Sequence, residues 1–389
     1  MRVFRTLSTR RLLVVLGAVG ALVVVATTAA VAARGGSGPT PAPAPLPNAI
    51  HDALAAPVPE GITAQIQFTN NLFPSGALLG QSASPLLTSA SGRLWVNADG
   101  GRLELQSDSG DAQIVWTGSK VTVYDGTSNT AYVFDLPQPS DSAPGTTHPV
   151  PSLDEITGFL ADLGGDWSIS SAQPDNVAGE EAYTVDVSPK HDGGLLGSAE
   201  LAWDAAKGVP LRVAIYAKGS ATPALALEAT GITFGPVATS TIAIAPPANA
   251  KTIDLSSGSG TQSGAGDPAP VVGADAVRAA APWAVLPQSV AGLSLQDARL
   301  VGPADNRAAL AVYGQGLGSV VVVERQKAAG DSAPNSLSSL PTVSLDGVDA
   351  HELSTQLGTA LAWERGGVSF VLAGSIPAAS AETAAHELG

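Results

Sequence analysis

The sequence contains no cysteine, and this absence removes several kinds of chemistry at once. A chain without thiols forms no disulfide, no thiolate zinc site and no cysteine nucleophile. It also has no cysteine to carry the lipid of a bacterial lipoprotein anchor. Any membrane attachment must therefore come from the polypeptide itself, and an oxidising exterior is no threat to the chain.

Charged residues and aromatic residues are also scarce, at 14% and 5% of the 389 residues. The core must therefore be built mainly from aliphatic side chains. The formal net charge is −15, but residues 1–34 hold five arginines and no acid, which leaves −20 on the remainder. A surface of that sign repels nucleic acid, so nucleic acid is excluded as a partner.

The longest uncharged run is the 22 residues from Leu12 to Ala33, which lie between Arg11 and Arg34. That length crosses a bilayer as a helix, and the preceding arginines predict a cytoplasmic N-terminus with the rest of the chain outside. A cleaved signal peptide is the alternative, because Ala30-Val31-Ala32 offers a small-residue cleavage pattern. The run exceeds the usual length of a signal core, which favours a retained single-pass anchor.

Two tracts rich in proline, glycine and serine divide the remainder of the chain. Residues 35–47 predict a semi-rigid stalk after the cytoplasmic tip and anchor of residues 1–34, and residues 256–282 predict a flexible linker. The predicted domains are thus a larger one at residues 48–255 and a smaller one at residues 283–389.

Short runs with strand-like alternation dominate the larger segment, and turns that contain glycine separate them. In the clearest run, Leu103 and Leu105 alternate with Arg102, Glu104 and Gln106, so the two leucines share one face of a strand. Ten or eleven strands are expected in this segment, the last at Thr239 to Ile244. A helix is predicted at Ser152 to Leu163, where Ser152 and Glu155 stand at capping-box spacing.

The smaller segment shows the same kind of strands, among them residues 308–313, 319–325 and 368–374. A helix from Ser380 to Leu388 closes it. These elements predict a compact α+β module of about a hundred residues, near the lower size limit of independently folding domains.

Residues 176–216 carry a resemblance to a known family, in the order and spacing of their strands and turns. The matching points are Val177-Ala178-Gly179, Tyr183 to Val187, Pro189-Lys190, Leu201 to Asp204 and Gly208 to Arg212. They resemble the LolA-like lipoprotein-carrier and outer-membrane lipoprotein-sorting superfamily. Residues 92–95, 102–105 and 120–125 resemble the opening strands of that family.

The smaller segment is similar to the second domain of MucB/RseB-type sigma-E regulatory proteins, mainly at residues 308–325 and 367–377. Together the two resemblances imply an α+β fold. They imply a strongly curved antiparallel sheet, an incomplete barrel with helices on its concave side, followed by a smaller regulatory-type α+β domain. They also imply binding of acyl chains or lipoproteins without catalysis.

Motifs for catalysis, metal binding or cofactor binding do not stand out in the sequence. The five histidines are scattered without metal-ligand spacing, and neither G-x-S-x-G nor a P-loop occurs. Gly314 to Gly318 is glycine-rich like a dinucleotide loop, but the strand-like run after it favours a hairpin turn. No enzyme activity, metal or cofactor is therefore expected.

Seven side chains in the first strands and the helix are the candidate walls of a ligand cavity: Trp95, Leu103, Leu105, Trp116, Tyr132, Phe134 and Phe159. Ordinary core packing is the simpler interpretation of these residues, because half-buried strands always present apolar side chains inward. A cavity additionally requires an inner face that is larger than the helices can cover.

Two functions fit these features. The first is a membrane-tethered extracytoplasmic binding protein that shelters a lipid or the acyl chains of a lipoprotein. The second is an envelope-stress signalling regulator that binds an anti-sigma factor or another transmembrane protein. The retained anchor favours sensing or local hand-off, because a carrier has to leave the membrane with its cargo.

The topology prediction is tested by a reporter fused after Pro47, which should be active only outside the cytoplasm and should stay with membranes after carbonate washing. A fusion before Leu12 serves as the control and should report the opposite side. Quantitative release of a shortened protein into the medium would identify a cleaved signal peptide instead.

Overall fold

The segments in which apolar and polar residues alternate form two β-sheets in the computed structural model of the protein. The model describes residues 38–72, 84–87, 89–135, 150–255, 271–302, 307–327 and 340–388. The chain divides into a first unit of residues 1–71, 81–188 and 198–259 and a second unit of residues 72–80, 189–197 and 260–389. The predicted anchor, Leu12 to Ala33, lies outside the described residues. Within the described ranges, no helix has the length and apolarity needed to span a bilayer.

The first unit contains one large sheet. Its strands are β1 (Gly61–Asn70), β2 (Ala90–Asn97), β3 (Gly100–Ser107), β4 (Gly110–Thr117), β5 (Lys120–Asp125), β6 (Thr130–Asp135), β7 (Trp167–Ile169), β8 (Gln173–Val177), β9 (Glu180–Pro189), β10 (Leu196–Asp204), β11 (Pro210–Ala217), β12 (Pro223–Phe234) and β13 (Lys251–Asp254).

The strand order across this sheet is 13-6-5-4-3-2-1-12-11-10-9-7, with β8 paired to β9. The neighbouring strands whose pairing is resolved run antiparallel, except for β13, which lies parallel to β6. The two ends of the order do not pair with each other among the described strands, so the curled sheet is an incomplete barrel. The predicted α+β class with a curved, mainly antiparallel sheet is confirmed.

One face of β1 to β6, which we call the leucine face, is defined by Leu103 and Leu105 of β3. The register places Leu94 beside Leu103 and Ile114 on its other side, so the apolar residues of successive strands line up. Leu105 is completely buried and Leu103 is 4% exposed. They pack with Phe68 and with the short 3₁₀ turn Pro85–Leu87 in the main core of the unit.

Residues 235–250 form a strap across the opposite face, from the end of β12 to the start of β13. Side-chain donors of the sheet hold its backbone carbonyls one after another. Asn97 Nδ2 donates to Val237 O (3.0 Å), Arg102 Nη1 to Thr241 O (2.7 Å), Gln113 Nε2 to Ile244 O (3.2 Å) and Asn129 Nδ2 to Asn249 O (3.1 Å).

The strand predicted at Thr239 to Ile244 is wrong, since the strap contains a helical turn there, α3 (Thr239–Ile242). The segment crosses a sheet face rather than joining a sheet edge, so it has no neighbouring strand to pair with. Its carbonyls are satisfied by side chains instead, as buried or half-buried backbone groups require. Ile242 is fully buried under the turn, while Ile244 is 40% exposed.

The part of the predicted stalk that the structure describes, from residue 38 onward, lies on the first unit. Asn176 Nδ2 donates to Pro39 O at 2.8 Å, and the Tyr183 hydroxyl donates to Ala42 O at 2.6 Å. Prolines lack an N–H but keep a carbonyl acceptor, so such a run can dock through its carbonyls. It leads into helix α1 (Leu46–Ala55), whose Ala49 packs with Tyr183 and Trp203.

Helix α2 (Leu153–Leu163) begins as the sequence predicts. Ser152 is its N-cap, and the Ser152 hydroxyl and the Glu155 carboxylate each accept a backbone N–H in a complete capping box. The helix packs against α1 and buries Ile156, but Leu153 remains 40% exposed. The apolar stripe of α2 is thus only partly covered.

The second unit has its own sheet and core. Its strands are β14 (Ser289–Val290), β15 (Leu293–Val301), β16 (Ala308–Tyr313), β17 (Val320–Gln326), β18 (Thr342–Leu345), β19 (Val348–Thr355), β20 (Gly358–Arg365) and β21 (Val368–Gly374), in the spatial order 14-15-16-17-21-20-19-18. Helices α4 (Ala274–Ala280) and α5 (Ala378–Glu387) contribute Val277, Ala381 and Ala384 to the core.

The predicted linker at residues 256–282 extends too far, because its last part is folded into the second unit. Val272 bridges to Arg299 of β15, and Val277 of α4 is completely buried. The helix is only seven residues long, so its signal in the sequence is weak.

The strap is tested by a matched pair of substitutions. Ile242→Ala should destabilise the first unit by about 2–5 kcal/mol, because it leaves a void in a fully buried site. Ile244→Ala, two residues along the same segment, should change stability by less than about 0.5 kcal/mol. Hydrogen exchange of the β3 amides measures the difference, and equal effects would contradict the strap's role.

Candidate functional site

The side chains of the leucine face become more exposed from β3 towards β6. Trp116, Val123, Tyr132 and Phe134, which we call the aromatic end, are all half-buried, unlike the two fully packed leucines. The register pairs Trp116 with Val121, Val121 with Phe134, and Val123 with Tyr132, so these side chains share the face of Leu103 and Leu105. Five of the seven candidate residues therefore lie on one face.

Trp95 lies on the opposite face, the one that carries the strap. In β2 it alternates with Leu94, and it is paired with Arg102, whose guanidinium lies 4.7 Å from the centre of its ring. Because side chains alternate along a strand, Trp95 cannot line the same surface as Leu103. Trp95 is therefore not part of the predicted set of cavity residues on the leucine face.

Phe159 belongs to helix α2 rather than to the sheet. It is half-buried and lies on the same apolar stripe as Ile156. Together with the exposed Leu153, it leaves apolar helix surface open in the first unit. Its membership of a ligand site remains a prediction.

Leu103 and Leu105 have the surroundings of a packed core. Phe68, Ile66, Ile114 and Leu86 surround them, and their exposed fractions of 4% and 0% leave no room for solvent. The two leucines therefore form the floor of the leucine face, and the aromatic end is the part that a ligand could reach.

A charged cluster on the other half of the sheet was not anticipated from the sequence. Arg212 lies between two carboxylates, with Nε 3.0 Å from Glu200 Oε1 and Nη1 3.6 Å from Glu228 Oε2, and it donates from Nη2 to the Tyr216 hydroxyl (3.1 Å). The Nε contact is an ion pair without a hydrogen bond. The only signal in the sequence is that Arg212 and Glu228 occupy strand positions among apolar residues.

Burial raises the pKa of Glu228, and the nearby carboxylates of Glu200 and Asp175 raise it further, while Arg212 opposes the shift. The charges of the cluster are paired with one another. Its one hydroxyl beside a carboxylate is the phenol of Tyr216, and no serine, threonine or cysteine nucleophile stands next to a base in the cluster. We therefore interpret it as a structural ion-pair network within the sheet.

The described part of the chain holds no group of three or more histidines or acids that could bind a metal ion. His386 lies 2.6 Å from Asp346 and His51 lies 3.4 Å from Asp52, but each is a single exposed pair. His148 falls outside the described residues.

No protein-family model matches this chain, and no curated protein sequence matches it. Among solved structures, MucB in complex with MucA(peri) is similar, with a TM-score of 0.43, 13% identity and coverage of 87% of this chain and 95% of that chain. The MucA/MucB complex of Pseudomonas aeruginosa gives 0.43 and 15% over the same shares of the two chains.

A LolA superfamily protein from Nitrosomonas europaea gives a TM-score of 0.21 and 9% identity, covering 52% of this chain and 98% of that chain. These neighbours come from the same two groups of proteins that the sequence resembles.

The packed floor of the leucine face is tested by Leu105→Ala, which should cost about 2–5 kcal/mol of stability because the site is filled and fully buried. Leu153→Ala on the exposed stripe of α2 is the control and should stay within about 0.5 kcal/mol. Denaturant unfolding of both variants provides the measurement. A small loss for Leu105→Ala would show that a cavity adjoins this residue.

Proposed function

We propose that this chain is an extracytoplasmic, membrane-tethered binding protein and that the aromatic end of its leucine face shelters the acyl chain of a lipid or lipoprotein. The observation that carries the proposal is the change along one sheet face from fully packed leucines to half-buried aromatic side chains. A rigid apolar floor that continues into a partly open apolar wall is the form of a site for a flexible hydrocarbon.

The chemistry of the wall fits an acyl chain better than a polar ligand. Val123 and Phe134 offer only carbon surface, Trp116 adds one indole N–H and Tyr132 adds one hydroxyl. Each methylene of a bound chain that leaves water contributes about 0.8 kcal/mol, so affinity needs several such side chains and no charge. Large aromatic rings supply that area with few rotatable bonds.

The proposed role is binding without catalysis. Among the residues with described positions, the charged clusters are ion pairs within strands or on the surface, and none joins a nucleophile to a base beside the leucine face. A binding protein needs only a surface of the right shape and polarity.

The second sheet favours a second candidate function, a signalling regulator that binds a transmembrane partner such as an anti-sigma factor. One of its faces presents aliphatic side chains in register across three strands, with Leu310 beside Val323 and Val323 beside Val371. Val371 is 41% exposed. Contiguous apolar surface of this kind is typical of protein interaction sites.

A matched pair of tryptophan variants separates the two functions. Trp116→Leu should weaken binding of a fluorescent fatty acid by about tenfold or more, which corresponds to about 1.4 kcal/mol of lost contact. Trp95→Leu changes a tryptophan of β2 on the opposite face, which carries the strap. This variant should keep the affinity for the fatty acid within about twofold of the wild type. Fluorescence titration of the full-length chain in detergent measures both.

Mass spectrometry of organic extracts from the purified protein provides an independent check, and we expect a copurified lipid. Equal effects of the two substitutions on fatty-acid affinity would contradict the acyl-chain site. A complete absence of binding of apolar probes would also contradict it and would favour the regulator.

A further inference from the structure

Glu324 of β17 is a buried carboxyl group in the apolar core of the second unit. Its side chain has no exposed surface. The register places it in a row of otherwise apolar side chains that crosses the sheet, with Ala309 on one side and Phe370 on the other. Trp363, which stacks on Phe370 at 5.0 Å, follows in the same row.

Among the residues that the structure describes, this carboxyl group has a single hydrogen-bond donor. Val285 donates its backbone N–H to Glu324 Oε2 at 2.5 Å, while Oε1 is buried without a hydrogen-bond partner among the described residues. The hydroxyl of Tyr313 is buried in the same core and is likewise without a partner in the described ranges. A carboxylate in such a place lacks the two or three donors that would stabilise its charge.

Val285 belongs to residues 281–288, the segment between α4 and β14, which has neither helical nor strand structure. Besides Glu324, Arg278 holds this segment by donating from Nη2 to Leu286 O at 2.6 Å. Val285 is 37% exposed, whereas Leu286 is 5% exposed. Outward movement of the segment would bring water to Glu324, at the cost of the packing of Trp283 and Leu286 on the core.

The charged and titratable groups around Glu324 are few. Tyr313 faces it from β16, and Arg278 lies on α4, where its guanidinium also pairs with Asp275 at 2.8 Å. On β15, Asp297 and Arg299 pair with each other on the opposite face, and on β20 Glu364 pairs with Lys327 there. On the same face as Glu324, Arg365 of β20 donates to Leu345 O at 2.8 Å. Farther along that face, Glu352 of β19 forms a side-chain hydrogen bond with Glu382 of α5, and burial together with the Glu382 charge raises the pKa of Glu352.

We propose that Glu324 is a pH-sensitive latch, whose neutral form keeps residues 281–288 seated on the second sheet and whose ionisation releases that segment. The open segment hydrates the carboxylate and exposes Leu286. The surface uncovered next to the sheet then changes with the acidity outside the cytoplasm.

The direction of the pH effect follows from the burial of the group. Burial raises the pKa of Glu324 to about 7, and the Val285 N–H opposes the shift only in part. A group whose pKa is raised on folding favours the closed state fully below its ordinary pKa of 4.5 and loses that contribution as the pH rises through about 7. The population of the open segment should therefore increase with pH and level off above neutrality.

Hydrogen exchange of the full-length chain in detergent tests the latch, after correction for the intrinsic pH dependence of exchange. Between about pH 5 and about pH 8 the opening of residues 281–288 should increase about 70-fold, as linkage between pKa values of 4.5 and about 7 requires. The amides of β20 should keep their protection over the same range. Parallel loss of protection in β20 would show global unfolding and overturn the proposal.

Glu324→Gln keeps the shape of the side chain and cannot ionise, so its segment should open to the same extent at both pH values. Glu364→Gln, on the opposite face of the same sheet, is the matched control and should retain the wild-type response. A response in Glu324→Gln equal to that of the wild type would overturn the latch. The wild-type comparison of residues 281–288 with β20 decides the matter even if Glu324→Gln does not fold.

Discussion

The first unit depends on one constraint. A backbone segment that crosses a sheet face has no partner strand, so its carbonyls need other hydrogen-bond donors. The strap meets it with Asn97, Arg102, Gln113 and Asn129, which reach its carbonyls in order across the sheet. Because these contacts fix where residues 235–250 run, they also fix where β13 joins the sheet beside β6. Strand β13 thus covers the edge that β6 would otherwise expose.

That arrangement assigns different tasks to the two faces of the same strands. The strap occupies one face and takes Trp95 and Arg102 into its support, while the other face carries the half-buried aromatic end. In the proposed function, the packed leucines of that face give rigidity and the aromatic end gives access. A binding wall that rests on a filled core is held in position before any ligand arrives, which lowers the entropic cost of binding.

The elements with local signals could be predicted from the sequence, and those defined by distant partners could not. The capping box of Ser152 and Glu155 and the alternation at Leu103 and Leu105 involve residues within one element, so the pattern contains the whole cause. The strap and the docked proline run depend on donors more than a hundred residues away, such as Tyr183 for Ala42. The sequence did contain a signal for the burial of Glu324. In the run that precedes Arg325, Glu324 occupies the same alternating strand positions as the buried Val320 and Val322.

The pairing of β1 with β12 has a consequence for how the chain reaches its final form during synthesis. Strands β2 to β6 join neighbours in sequence, so they can pair as soon as they are synthesised. Strand β1 also needs β12, which is synthesised much later, and the strap follows β12. Until then the face that carries Trp95 and Val115 has no cover. The early hairpins of this protein therefore spend the interval with an apolar surface exposed, which makes a chaperone useful during that period.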